Sequence, residues 1–162
     1  LIGGKTMHAS QGLTAESSLR TPALALNAQS RQKLSLTHVE AGAYYIDEYS
    51  QLKAELNNAA AVRTADSRKT KYQLDMNVYY KPHERYGRIA MLTYSGDHLQ
   101  LPPVPASSSM LAPIDEATNE HVAGARIFRN AELVFQFEQA MRFTDATQIA
   151  ILECMRTCGG KP

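Results

Sequence analysis

The chain has 162 residues, 44% of them hydrophobic and 20% charged, a size and balance that suit a globular domain with a real core. A formal net charge of +1 excludes a strongly basic or acidic character, so a nucleic-acid partner has to be sought in local patches. No apolar run approaches the roughly 18 residues that span a bilayer, so no membrane partner is expected.

Leu1-Ile2-Gly3-Gly4 carries neither an initiator methionine nor a signal-peptide pattern, and Gly159-Gly160-Lys161-Pro162 is turn-like. Both ends read as cut from something longer. The first clear element is Ala43–Ile46, a short apolar run that reads as a buried strand ending in Asp47 and Glu48. From Gln51 to about Ala65, Leu52, Leu56 and Ala59/Ala60 recur at helical spacing. Thr64 to Gly87 is polar and basic with Tyr72, Tyr79, Tyr80 and Tyr86, and reads as a surface loop. Ile89–Tyr94 is a second buried strand, closed by Ser95-Gly96-Asp97. Leu101 to Asn119, rich in Pro and Ser, is a second long loop. Leu133–Phe137 reads as a third strand. Asp145 with Gln148 forms an N-cap pair ahead of a helix whose stripe is Ile149, Leu152 and Met155. Cys154 and Cys158, four apart, lack the further ligands of a zinc site and are poorly spaced for a disulfide on a helix, so they read as reduced thiols of an intracellular protein.

Strands alternating with helices predict an α/β layer fold with a mainly parallel sheet. In such sheets ligands sit at the carboxyl ends of the strands, where Asp47, Glu48 and Asp97 fall. An acidic pair there suits phosphoryl chemistry. One carboxylate can hold Mg²⁺, which needs only one or two with its waters, and the neighbour can polarise an attacking water. Taken alone, an Asp-Glu pair is as consistent with a solvated loop. Gly96 to Pro103 is more specific: Gly96 permits a tight turn, Asp97 adds a carboxylate, Gln100 can bond a terminal phosphate, and Pro102-Pro103 stiffen the exit. Gly4-Lys5-Thr6 imitates the end of a phosphate-binding loop, but the first glycine of G-x-x-x-x-G-K-[ST] would fall before residue 1, and Gly12 would interrupt the helix that must follow.

Tyr45-Ile46-Asp47-Glu48-Tyr49-Ser50 resembles the second motif of the Pif/RecD-like branch of superfamily-one DNA helicases. Gly96-Asp97-His98-Leu99-Gln100-Leu101-Pro102-Pro103-Val104 resembles the third. Leu1 to Leu13, through Gly4, Thr6, His8 and Gly12, resembles the motif after that family's second strand. Phe137-Glu138-Gln139-Ala140-Met141-Arg142 is similar to the fourth, and Met155 to Gly159 also fits the branch. The motifs occur in the family's order over nearly the whole chain.

The resemblance implies a RecA-like P-loop NTPase fold, with residues 1–162 as part of the first RecA-like motor domain, lacking the N-terminal strand and phosphate loop. It implies an ATP-dependent 5′-to-3′ helicase acting in DNA repair, recombination, replication or telomere maintenance, intracellular and, in a eukaryote, nuclear. Its partners would be ATP, single-stranded and duplex DNA, and a second RecA-like domain. Asp47 would bind Mg²⁺ and Glu48 would activate water. Gly96, Asp97 and Gln100 would line the ATP site, with Gln100 on the γ-phosphate. Arg142 would stabilise transition-state charge, against the alternative of a surface salt bridge. Thr6, His8, Pro102 and Pro103 would lie near DNA, against a structural role for His8.

Residues 63–88 form an insert longer than usual for the family, with seven Lys/Arg against three Asp/Glu. Cations interleaved with tyrosines suit gripping a single strand, and a solvated loop is the alternative. The competing reading of the whole chain is an inactive, transposon-derived fragment or a single-strand-binding module without ATPase activity.

Overall fold

A computed structural model describes residues 5–13, 27–72, 81–114, 118–137 and 145–157. It divides into two units, Leu1–Ala131 and Glu132–Pro162.

In the first unit, Thr6 starts the short helix α1 (Met7–Ser10) by accepting from the Ala9 N–H at 3.2 Å. Asn27 caps α2 (Ala28–His38) in the same way, accepting from Ser30 N–H at 2.8 Å. Strand β1 (Ala43–Ile46) follows, then a 3₁₀ turn at Tyr49–Gln51 and the long helix α3 (Ala54–Tyr72). Next come α4 (Pro82–Arg85), β2 (Met91–Tyr94), a 3₁₀ turn at Ala106–Ser108, and α5 (Asn119–Arg129), capped by Thr118. The architecture is mixed α/β, with a two-stranded parallel sheet among the described residues and helices flanking it. The register sets Ala43 opposite Met91 and Ile46 opposite Tyr94, so the carboxyl ends of the two strands lie side by side.

Helix α3 is the axis of this unit and packs against α2 and α5. Ala54, Leu56, Ala59, Ala60, Ala61 and Ala65 are all buried. Such short side chains let neighbouring backbones come close. At Gly124 of α5 a Cβ would land on the Ala54 carbonyl, so only glycine fits that crossing. Asn57 inside this packing is matched on both sides of its amide. Asn57 donates to the Gly124 carbonyl at 2.9 Å, and its Oδ1 accepts from the hydroxyls of Tyr86 (2.6 Å) and Tyr94 (2.9 Å). One amide thereby joins α3, α5, the turn after α4, and β2. Burial pushes the Tyr86 and Tyr94 phenols well above their ordinary range, which keeps both hydroxyls as donors.

Several sequence expectations change here. The helix starts at Ala54 rather than Gln51, because Tyr49–Gln51 form a tighter turn, and it runs on to Tyr72 rather than ending near Ala65. Thr64 to Tyr72 is therefore helix, not loop, and α4 occupies part of the remainder. Helices α2 and α5 are additions to the expected elements. Strand β2 begins at Met91 instead of Ile89, and β1 is covered on one side: Ile46 is buried while Tyr45 is 68% exposed.

The second unit holds Leu133–Phe137 and α6 (Ala146–Thr157). Leu133–Phe137 forms no strand; Val134 and Phe137 are 86% and 94% exposed. A strand needs a partner for its ladder, and among the described residues this segment has none. The expected cap of α6 is present, with Asp145 accepting from Gln148 N–H at 2.9 Å. Its expected apolar stripe is only partly covered within the unit, Met155 being 63% exposed. No helix among the described residues is long and apolar enough to cross a membrane.

Candidate functional site

The acidic pair and the glycine turn come from distant parts of the chain, and the parallel pairing of β1 with β2 places them together. Beyond Ile46 and Tyr94 the two segments stay bonded: Ser95 N–H donates to the Ile46 carbonyl at 2.8 Å, and Tyr49 N–H donates to the Ser95 carbonyl at 3.0 Å. Gly96 sits directly on this junction. A Cβ there would lie 2.9 Å from Tyr49 N and 3.0 Å from the Tyr49 ring, at a φ of +150°. Glycine is needed both for the backbone angle and for the close approach. The Tyr49 ring continues into an aromatic group, 4.7 Å between centroids from Phe128, which in turn meets Tyr94 edge-on at 5.2 Å. Helix α5 thus braces the turn from behind.

Asp47 is exposed at the end of β1. Its Oδ1 accepts from Ser95 Oγ at 2.5 Å and from Glu48 N–H at 3.0 Å. These bonds, Ser95 first, hold its carboxyl below the usual carboxylate range, so it is ionised at neutral pH. Glu48 is exposed and takes a left-handed backbone, φ 52° and ψ 48°. For a residue with a Cβ this conformation costs about 1–3 kcal/mol, and such strain is common at functional sites. The bond from Tyr49 N–H to Ser95 holds the chain in it. Asp97 is half-buried; its Oδ1 accepts from Leu99 N–H at 3.0 Å, and its carbonyl from Gln100 N–H at 3.1 Å. It shapes the turn and raises the Tyr49 phenol through its charge, after the larger effect of burial.

Gln100 and Pro102 are exposed on the loop that follows, and Pro103 is buried. Thr6 and His8 lie on or beside α1 and are not brought to this turn by any bond described for α1. That segment is tied elsewhere: Gln11 donates to Thr64 at 3.2 Å, Arg63 donates to the Gln11 carbonyl at 2.6 Å, and His38 bonds the Ser10 carbonyl at 3.0 Å. Thr6 is a helix cap, and His8 is half-buried. Arg142, with the rest of the fourth motif beyond Phe137, lies outside the described residues, as do Gly4 and Cys158.

Among the described residues no group of three or more His, Cys, Asp or Glu is placed to hold a metal. A lone, ionised carboxylate is too little for zinc or calcium. It offers a hard oxygen donor, the ligand type that Mg²⁺ accepts alongside its waters.

Two further findings bear on the basic segment. Arg68 is buried, and its guanidinium donates to the carbonyls of His38 (2.7 Å), Ala41 (2.9 Å) and Gly87 (2.7 Å). It closes the carboxyl end of α2 and pins the turn after α4. Arg63 is likewise buried. These two cations of the 63–88 stretch hold the fold together and do not face a solvent-borne phosphate chain. Tyr72, Tyr79 and Tyr80 lie where no side chain is described.

Ser95 is the residue that sequence reasoning passes over. Its backbone and its hydroxyl each bind the acidic turn, and only its place directly before Gly96-Asp97 hints at this. Comparison with protein-family models, with curated proteins and with solved structures gave no match.

Proposed function

We propose that this chain is part of the first motor domain of an ATP-dependent DNA helicase of the Pif/RecD-like kind, with a RecA-like sheet and the site around Asp47 as its hydrolytic edge. One observation carries the reading. The Asp47-Glu48 pair and the segment that opens the Gly96–Pro103 loop meet at the carboxyl ends of adjacent parallel strands, and Asp47 is bonded to Ser95, 48 residues further on and directly before the loop. That is where an α/β sheet binds its ligands, and the motifs that meet there are those that the resemblance assigns to hydrolysis and to sensing of the γ-phosphate.

In this reading Asp47 offers an ionised carboxylate for Mg²⁺. The ion, when bound, neutralises charge on the β- and γ-phosphates. Glu48 accepts a proton from the attacking water, and Gln100, on the exposed loop, bonds the terminal phosphate. Arg142 supplies a cation to the transition state, Thr6, His8 and the exposed Pro102 lie near the DNA track, and the buried Pro103 stiffens the loop behind Pro102. The 162 residues contain no complete G-x-x-x-x-G-K-[ST] sequence, so the phosphates need a cradle from elsewhere in the working protein, and the second motor domain completes the cleft.

The test is DNA-stimulated ATP turnover by a protein that carries this segment together with a phosphate loop. Glu48→Gln is expected to lower turnover by at least about a hundredfold, as removal of a general base does, with DNA binding retained. Turnover close to the unaltered level would sink the assignment.

A further inference from the structure

Asp47 has two carboxylate oxygens, and the structure treats them differently. Oδ1 is taken twice, by Ser95 Oγ at 2.5 Å and by Glu48 N–H at 3.0 Å. Oδ2 has no hydrogen-bond partner among the described residues. The Ser95 hydroxyl owns a single proton, and an ionised carboxylate can only accept, so that proton is committed to Asp47. The Tyr45 hydroxyl, 2.7 Å from Ser95 Oγ, must therefore donate to it. The directions of the whole chain follow: Tyr45 to Ser95, Ser95 to Asp47. Each donation polarises the next hydroxyl and strengthens the bond beyond it.

The three residues are placed by the sheet itself. Tyr45 and Asp47 are two apart on β1 and its extension, so they share the face opposite Ile46. Ser95 is held from the neighbouring segment by its own backbone, whose N–H and carbonyl bond Ile46 and Tyr49. Its hydroxyl is thus delivered to the carboxylate by a rigid support. A free aspartate samples rotamers and can chelate with both oxygens. Here one oxygen is tethered, which leaves a single oxygen in a fixed direction.

We infer that Ser95, backed by Tyr45, is a positioning residue that makes Asp47 a one-oxygen ligand, presenting Oδ2 to a divalent cation. The inference rests on the metal-binding role proposed above for Asp47. It adds that the role depends on a hydroxyl outside the acidic pair. Neighbours that orient a metal ligand commonly change affinity by about ten- to a hundredfold, and exposure of this site reduces that to roughly three- to tenfold.

Mn²⁺, a paramagnetic substitute for Mg²⁺, provides the test on the chain itself, followed by broadening of backbone amide signals in NMR. In the unaltered chain Mn²⁺ is expected to broaden first the signals of Asp47, Glu48 and Gly96. Ser95→Ala should need about three- to tenfold more Mn²⁺ for equal broadening, and Tyr45→Phe about twofold more. Ser95→Thr, which keeps the hydroxyl, should restore the unaltered response, and this separates positioning from a general loss of fold. Asp47→Asn should abolish the broadening. If Asp47→Asn abolishes it while Ser95→Ala titrates like the unaltered chain, the inference fails and the metal role of Asp47 stands. If Asp47→Asn leaves the broadening in place, the metal role itself fails and the inference falls with it.

Discussion

Replacing Asn57 by leucine probes the polar hub of the first unit. Leucine has the same branched shape and number of heavy atoms, with bulkier methyl groups in place of the amide's oxygen and nitrogen, so the change opens no cavity and removes the hydrogen bonds. Three groups lose the amide: the Tyr86 hydroxyl, in a side chain only 1% exposed, which keeps the Asn57 main-chain carbonyl at 3.3 Å, the partly buried Tyr94 hydroxyl, and the Gly124 carbonyl, which lies inside α5 and keeps its helical bond. A lost hydrogen bond costs about 0.5–1.5 kcal/mol where another partner remains and about 1–3 kcal/mol where none does, giving roughly 2–4 kcal/mol for the three. Burying leucine in place of an amide returns about 1 kcal/mol. The net loss is roughly 1–3 kcal/mol, a sizeable share of the 5–15 kcal/mol typical of a folded domain. Urea unfolding followed by tyrosine fluorescence measures it well, because the chain has no tryptophan and all eight tyrosines lie within Leu1–Ala131. A double Tyr86→Phe, Tyr94→Phe background removes two of the three bonds to the amide, so Asn57→Leu should cost about 1 kcal/mol less there. A cost below about 0.5 kcal/mol, or one unchanged in the phenylalanine background, would refute the hub.

Gly96→Ala should destabilise the first unit by about 1–3 kcal/mol and shift the Tyr49 and Ser95 amide resonances, because the new methyl meets Tyr49 N at 2.9 Å. Gly42→Ala, where nothing lies within 4 Å, is the matched control and should be nearly neutral; equal effects at both positions would undo the account. Stability should also fall as the solution is acidified, through His38. It is 2% exposed, bonded to Ser10 and Tyr44, and burial, helped by the nearby Arg68 and Lys5 charges, holds its pKa below the ordinary 6.5 despite the opposing bond to Ser10. The unfolded chain then binds a proton that the folded chain refuses, so this contribution is complete above about pH 6.5 and is lost as pH drops toward the folded value. Urea midpoints at about pH 7.5 and about pH 5.5 should differ in that sense, and His38→Gln should reduce the difference; an unchanged difference would contradict the assignment.

Much of the candidate site is legible in the amino-acid sequence. The short apolar runs Ala43–Ile46 and Ile89–Tyr94, each closed by a polar turn, mark the two strands and put Asp47, Glu48, Gly96 and Asp97 at their ends. Local chemistry suffices for that, since a strand that stops at a turn must present its last residues at the sheet edge. The cap of α6 is equally local, because an aspartate and the N–H three residues on belong to one turn.

The helices are less legible, for reasons rooted in packing. Helix α3 is buried nearly all round, so it shows no single apolar stripe, and its inner face carries Asn57, Arg63, Thr64 and Arg68. In sequence these look like the polar, basic start of a loop. They are tolerated only because partners from distant segments meet every one: Gly124, Gln11 and the end of α2. In α5, Gly124 reads as a helix breaker, yet it is the only residue that fits against Ala54. Leu133–Phe137 shows the reverse case. Its composition favours a strand, but a strand exists only where another supplies the ladder.

By itself, then, the sequence determined the two paired strands and their acidic and glycine-bearing ends, since these depend on local pattern and side-chain identity. Only the tertiary structure decided that the two ends share one site, that Ser95 joins them, and that Arg63 and Arg68 serve the fold. Those outcomes depend on which carbonyls, hydroxyls and small residues from far along the chain come within about 3 Å of one another, and no local pattern encodes that distance.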